Sequence, residues 1–255
     1  MKLLALDTAS ELCSAALWLE GRLHWREIPA PRAHAALILP MIDALLAQFN
    51  ASLTGMDAIA FGRGPGAFTG VRLAVAIAQG LGFAAQRPLI GVSDLRAIAA
   101  QALSLTPGAR RVLVCQDARM GEVYWGCFEQ RDWNEDEAQG HTQGDADGDA
   151  NRPLVAVGAE RVGPAASVEL PVGWSQLVAA GPGFAAYPEL LPRLPTGVLA
   201  VLPRLQPRAQ EIARLAAQEG LAAAVPAEQA LPVYLRDRVA TIPPGPVSRG
   251  LPPVS

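Results

Sequence analysis

The chain has 255 residues, of which 51% are hydrophobic and 18% charged, with a formal net charge of −3. At roughly 100 to 200 residues per domain that is room for one large domain or two small lobes, without the basic excess of a protein that binds nucleic acid alone. Lys2 is the only lysine, so no P-loop lysine or Schiff-base amine is available.

The N-terminal stretches KLLALDTA and CSAALWLEGRLHWREI are apolar runs separated by TASEL and broken again at Glu20-Gly21. Their lengths and turn residues predict a three-strand antiparallel meander. The apolar start of MKLLALD stops at Asp7, too short for a signal-peptide core. After Pro29 to Pro31 a helix is expected from about residue 32 to 49, with Ile38, Met41, Ile42, Leu45 and Phe49 on one stripe. Leu39 and Leu46, a heptad apart, fall outside that stripe.

MDAIAFG then reads as a buried strand, FGRGPGAFTGVR as a glycine loop, and residues 69–85 as a helix leading to the strand RPLIGV and a helix at 94–103. RRVLVCQDARMGEVYWGCFEQ opens a second unit with a hairpin turned at Arg119 to Gly121. Residues 131–152 are acidic and poor in apolar side chains, as in a solvated loop. Short strands with Pro and Gly turns follow to 203, QPRAQEIARLAAQEG is a helix stopping at Gly220, and the Pro-rich end is expected to be disordered.

Several stretches imitate functional sites. Gly62-Arg-Gly64-Pro-Gly66-Ala67 fits G-x-G-x-x-A between strand and helix. No acidic residue follows at 82–87 to hold a ribose, and Pro65 removes a backbone donor from any phosphate cradle; a tight turn is the simpler reading. Asp7-Thr8 at the end of the first strand matches the place of an actin-like phosphate turn, and an Asx or ST turn accounts for it equally. Asp7, Thr8, Gly64 and Gly66 are therefore the candidate nucleotide residues of the alternative reading, a stand-alone actin-like ATPase or metallopeptidase-like hydrolase.

Asp145, Asp147 and Asp149 resemble the start of an EF-hand loop, but Ala150 and Ala156 stand where Gly and Glu are needed. His24, His34 and His141 have no second ligand at helical spacing, and Tyr124 and Trp125 read as hairpin core. Cys13, Cys115 and Cys127 read as reduced, buried thiols in a cytosolic protein. No cofactor and no metal is expected.

Helix 69–85 carries Val71, Leu73, Val75, Ile77, Leu81 and Phe83 around nearly its whole circumference, with Gly80 and alanines between them. Such a helix must be covered on every side. It falls short of the ~20 residues that span a bilayer, so no membrane is expected. The surplus face, with Leu39 and Leu46 from the preceding helix, predicts a helix-pair surface for a protein partner at Leu39, Leu46, Leu73, Ile77, Gly80 and Leu81.

Leu6-Asp7-Thr8-Ala9, Arg32-Ala-His34 leading into Leu39-Pro40-Met41-Ile42, GRGPGAFTGVR, IGVSDL, DARMGEVYW and PVYLRDRVA together resemble the tRNA threonylcarbamoyladenosine biosynthesis protein TsaB (YeaZ) family, over residues 1–240. The resemblance implies an actin-like fold of the ASKHA, ribonuclease-H-like type in two α/β lobes: a partner-binding lobe at 1–106, a second lobe at 107–240 containing the acidic loop, and a tail at 241–255. It implies a cytoplasmic, non-catalytic paralogue of TsaD, the subunit that transfers threonylcarbamoyl to N6 of adenosine 37 in tRNAs reading ANN codons. Implied partners are TsaD through the first-lobe helices, the ATPase TsaE, tRNA only within the complex, and a second copy through the same surface. TsaD-like chains carry an H-x-x-x-H metal pair where this sequence has Asp94 and Ile98, and Ile98 cannot ligate a metal.

Overall fold

A computed structural model describes residues 1–132 and 152–236. His141, Asp145, Asp147 and Asp149 lie outside the described residues. β1 (Lys2–Asp7), β2 (Leu12–Leu19) and β3 (Arg22–Pro29) form the antiparallel meander. Glu20 and Gly21 take positive φ to turn its second corner. α1 (His34–Gln48), β4 (Ala58–Gly62), α2 (Phe68–Ala85) and β5 (Leu89–Val92) follow, and parallel pairing of β4 with β1 and β5 gives the order β3-β2-β1-β4-β5. β1 beyond Lys2 and all of β4 are buried, which is why LLALD and AIAFG read as continuous runs rather than as an alternating pattern.

α3 (Asp94–Ser104) leads to the hairpin of β6 (Arg111–Arg119) and β7 (Glu122–Gln130). β8 (Leu154–Ala156), β9 (Arg161–Pro164), β10 (Leu177–Ala180), the single turn α4 (Gly183–Ala186), β11 (Ala200–Leu202) and α5 (Ala209–Glu219) complete the chain of elements. The second sheet runs β11-β10-β6-β7-β8, with β9 also on β7. It repeats the plan of the first: a hairpin whose leading strand takes two parallel strands on its far side. The glycine turn recurs as well, GPGAF after β4 and GPGFA after β10. A β-carbon at Gly66 would lie 2.7 Å from the Ala9 carbonyl oxygen, and one at Gly183 would lie 2.7 Å from that of Cys115. In both halves glycine lets the turn press on the end of the leading strand.

The last helix of each half packs on the sheet of the other, α3 against β6 and β10, α5 against β1, β2 and β4. A core of small and β-branched residues fills the space between the sheets, with Ala5, Ala60, Val92, Ile98, Val112, Val178, Ile212 and Ala216 among them. Arg208 does not cap α5 with its side chain; instead the Ala209 N–H donates to Ser14 Oγ of β2 at 2.9 Å, in the interior. α1 and α2 cover the outer face of the first sheet through Ile38, Ile42, Leu45, Ala74, Val75 and Ala78. At 18 residues α2 is long and apolar enough to cross a membrane by length and composition alone, against the expectation that it falls short, but one side of it is built into this core.

From Val225 the chain returns to the first sheet. Val225 and Leu89 exchange two backbone hydrogen bonds of 2.8 Å, the Val233 N–H donates to the Arg63 carbonyl at 2.8 Å, and Gln79 Nε2 donates to the Ala230 carbonyl at 2.9 Å. Arg236 then reaches the second half, donating to the Ala118 carbonyl at 3.1 Å and to the Glu122 carboxylate. Residues 225–236 thus strap one half to the other.

Candidate functional site

The glycine loop lies over the end of β1 and is closed by bonds within the chain. The Thr8 hydroxyl donates to the Gly70 carbonyl at 2.7 Å, and the Ala67 N–H donates to the Ala9 carbonyl at 2.8 Å. The Gly64 N–H donates to Asp94 Oδ2 at 2.6 Å, and a β-carbon at Gly64 would lie 3.0 Å from the Val233 carbonyl oxygen of the strap. A phosphate cradle needs such N–H groups turned outward and free. Here two are spent inside the fold, and Pro65 has none.

Asp7 and Asp94 face each other beneath this loop, both fully buried. Asp7 Oδ1 accepts from the Ala9 N–H at 3.1 Å, the Asx turn anticipated for this position. Asp7 Oδ2 and Asp94 Oδ1 have no N–H or O–H donor among the described residues. A proton shared between the carboxyls satisfies both. Burial raises Asp7 to about 7, against the opposing hydrogen bonds from Ala9 and Asp94. Burial and the Asp7 charge together hold Asp94 well above the carboxylate range, so Asp94 keeps the proton and donates it to Asp7. The neighbouring Ser93 Oγ caps α3 by accepting from the Arg96 N–H at 3.2 Å, and donates to Glu160. This pair pins the end of β1 to the start of α3. Ile98, one turn on, is fully buried in the core between the sheets.

The second candidate is the outer side of α1 and α2, which is accessible. Leu39 is 48% exposed and Phe83 80%. Ala76 and Gly80 are also exposed, and Leu73 is half-buried beside them. Leu46, Ile77 and Leu81 are half-buried and lean on the outer core. The six residues named from sequence therefore divide: Leu39 and Gly80 face solvent, while the other four flank the exposed stripe with part of their surface. A β-carbon at Gly80 would meet nothing within 4 Å, so the chain's own packing does not require glycine there. Sequence reasoning missed Phe68 and Tyr234, exposed aromatics against the first turn of α2; only the bulk of Phe68 so close to the loop signals it.

The remaining candidates take structural places. His24 stacks on Phe49 with ring centroids 3.8 Å apart, and His34 Nε2 lies 3.2 Å from the Leu12 carbonyl. Trp125 is core and Tyr124 packs on the core between the sheets. All three cysteines are free and buried; burial pushes the Cys13 and Cys127 thiols up to about 11 and raises Cys115 as well, which suppresses thiolate chemistry. Among the described residues no group of three or more His, Cys, Asp or Glu is placed to hold a metal ion.

Residues 28–243 match the family described as TsaD: tRNA N6-adenosine threonylcarbamoyltransferase. The chain is 42% identical over 243 residues to the tRNA threonylcarbamoyladenosine biosynthesis protein TsaB of Escherichia coli (strain K12), spanning 94% of this chain and 96% of that one. To the TsaB protein of Haemophilus influenzae it is 51% identical over 126 residues, 52% of that protein. A solved structure, YeaZ from Pseudomonas aeruginosa, superposes with a TM-score of 0.77 at 42% identity, covering 92% of this chain and 99% of that one. With the duplicated sheet order, these matches make the fold the actin-like, ASKHA-type one.

Proposed function

The chain belongs to the TsaB family of tRNA threonylcarbamoyladenosine biosynthesis proteins, and we propose that it serves that pathway as a non-catalytic subunit, docking on a TsaD-type transferase through α1 and α2. The observation that carries this reading is the contrast between its two candidate sites. The place where an actin-like enzyme holds phosphate is closed by the chain's own bonds and covered by the strap. The outer side of α2, by contrast, presents Ala76, Gly80 and Phe83 to solvent with Leu73 and Ile77 alongside.

An apolar helix face with space left open at a glycine allows close approach of a second helix. The half formed by residues 1–106 then supplies the docking surface, and the transferred group, the metal and the tRNA belong to the partner's site in the cytosol. The same face accounts for pairing with a second copy when the transferase is absent. TsaE is the further protein partner of this reading.

The test is light scattering behind size exclusion, on this chain mixed with the TsaD-type transferase of the same organism. A one-to-one complex is expected for the native chain. Ala76→Asp, at an exposed position where the fold tolerates a carboxylate, is expected to elute uncomplexed. A stable complex with Ala76→Asp refutes docking through this face.

A further inference from the structure

Resting on the docking reading, the geometry points to a single charged anchor on that face: we propose that Arg72 receives a carboxylate from an apolar helix of the transferase partner, and that this contact sets the register of docking. Arg72 is the only formally charged residue among the 18 of α2, and Asp43 the only one among the 15 of α1. Apolar helix faces slide past one another at small cost, so register comes from the few polar groups they carry.

The Arg72 guanidinium is already held in place. Its carbon stacks 3.7 Å from the Phe68 ring centroid and 5.5 Å from that of Tyr234. Its Nε donates to the Tyr234 hydroxyl at 2.6 Å. Phe68 and Tyr234 lean together with centroids 5.7 Å apart, and Tyr234 is fixed in turn because Val233 and Arg236 on either side of it are bonded to Arg63 and to the β6–β7 hairpin. Arg72 is exposed; with Nε occupied, its two terminal amino groups remain, and among the described residues no carboxylate forms a salt bridge with them.

A partner that covers α2 removes water from this cation. An unpaired guanidinium there opposes binding, whereas a carboxylate meeting the fork forms a two-pronged, charge-assisted contact. Phe68, 43% exposed, and Tyr234, 46% exposed, then shield the pair from solvent. A nucleic-acid phosphate is the less fitting acceptor, because phosphate backbones are bound by several cations together and Arg72 has no basic neighbour on either helix.

The experiment measures the dissociation constant of the full chain for the transferase at low and high salt. Arg72→Gln is expected to weaken binding about 10- to 100-fold at low salt and to flatten the salt dependence, while the lost contacts to Phe68 and Tyr234 lower the melting temperature by only a few degrees. Arg72→Lys should recover only part of the loss, because an ammonium neither stacks nor forks. Tyr234→Phe keeps the ring but loses the hydroxyl acceptor, and falls between Arg72→Gln and the native chain. Arg72→Glu should be rescued by Lys at one acidic position of the partner helix. Native affinity in Arg72→Gln, with binding abolished by Ala76→Asp, overturns the anchor and leaves docking intact. Absence of any complex with the native chain overturns both. If the native chain alone retards tRNA in a gel and Arg72→Gln does not, the acceptor is a phosphate and the proposal is wrong.

Discussion

Asp7 and Asp94 meet across Gly62 with no room for a methyl group between them: a β-carbon on Gly62 would lie 2.4 Å from Asp7 Oδ1 and 2.3 Å from Asp94 Oδ1. Two buried carboxyls this close cannot both ionise. One proton held between them joins the end of the first strand to the start of the helix that crosses to the second sheet, which is what their unpaired oxygens and raised titration call for.

That proton makes stability depend on pH. Asp7 and Asp94 both titrate higher in the folded chain than in the unfolded one. Their contribution is therefore complete below about pH 4 and is lost as pH rises through about 7 and beyond. Asp94→Asn substitutes a neutral group whose oxygen accepts from the Gly64 N–H and whose amide donates to Asp7. Urea unfolding at pH 5 and pH 8 should show a stability loss in the native chain on the order of a few kcal/mol and a smaller one in Asp94→Asn. Parallel pH profiles would contradict the shared proton.

Two glycines of α2 should respond in opposite ways. A β-carbon at Gly70 would stand 2.1 Å from the Thr8 carbonyl oxygen and 3.0 Å from its carbon, both backbone atoms that cannot swing aside. Gly70→Ala is expected to destabilise by about 3 kcal/mol or more. Gly80→Ala enters open space and should stabilise the isolated chain by about 0.5–1 kcal/mol. Where α2 docks against a helix, the same methyl weakens the complex. Thermal unfolding and titration with the transferase, run on both variants, read the two signs.

The cap on α5 offers a probe of how the halves are joined. Ser14→Ala leaves the buried Ala209 N–H without its acceptor, at an expected cost of about 1–2 kcal/mol. Because α5 lies across the first sheet, hydrogen exchange should quicken along α5 before it does in α1. Uniform quickening through the chain would show that the cap has no local role.

What the sequence made legible were the segments governed by neighbours along the chain. The meander, the glycine turn and α5 ending at Gly220 each carry their own periodicity and turn residues. Asp7 was visible as a candidate, but its partner stands 87 positions away in sequence at Asp94, and no local pattern marks two acids that meet only after β5 and α3 are placed. The Ser14 cap on α5, the exchange of α3 and α5 between the sheets, and Tyr234 on Arg72 are likewise products of tertiary packing. The exposed apolar stripe of α2 was legible because its signal is an excess: α2 has more apolar surface than one sheet can cover. The cover expected on every side is not supplied by the chain itself, since Phe83 and Ala76 stand in solvent.

The most direct test of the central claim, that this chain contributes a surface and no chemistry, is tRNA threonylcarbamoylation reconstituted from purified pathway proteins with native, Ala76→Asp or Asp94→Asn chain added. Modification that depends on the chain, is lost with Ala76→Asp and persists with Asp94→Asn is the expected result. Full modification with Ala76→Asp, together with loss in a folded Asp94→Asn chain, would place the function in the acid pair and contradict the account.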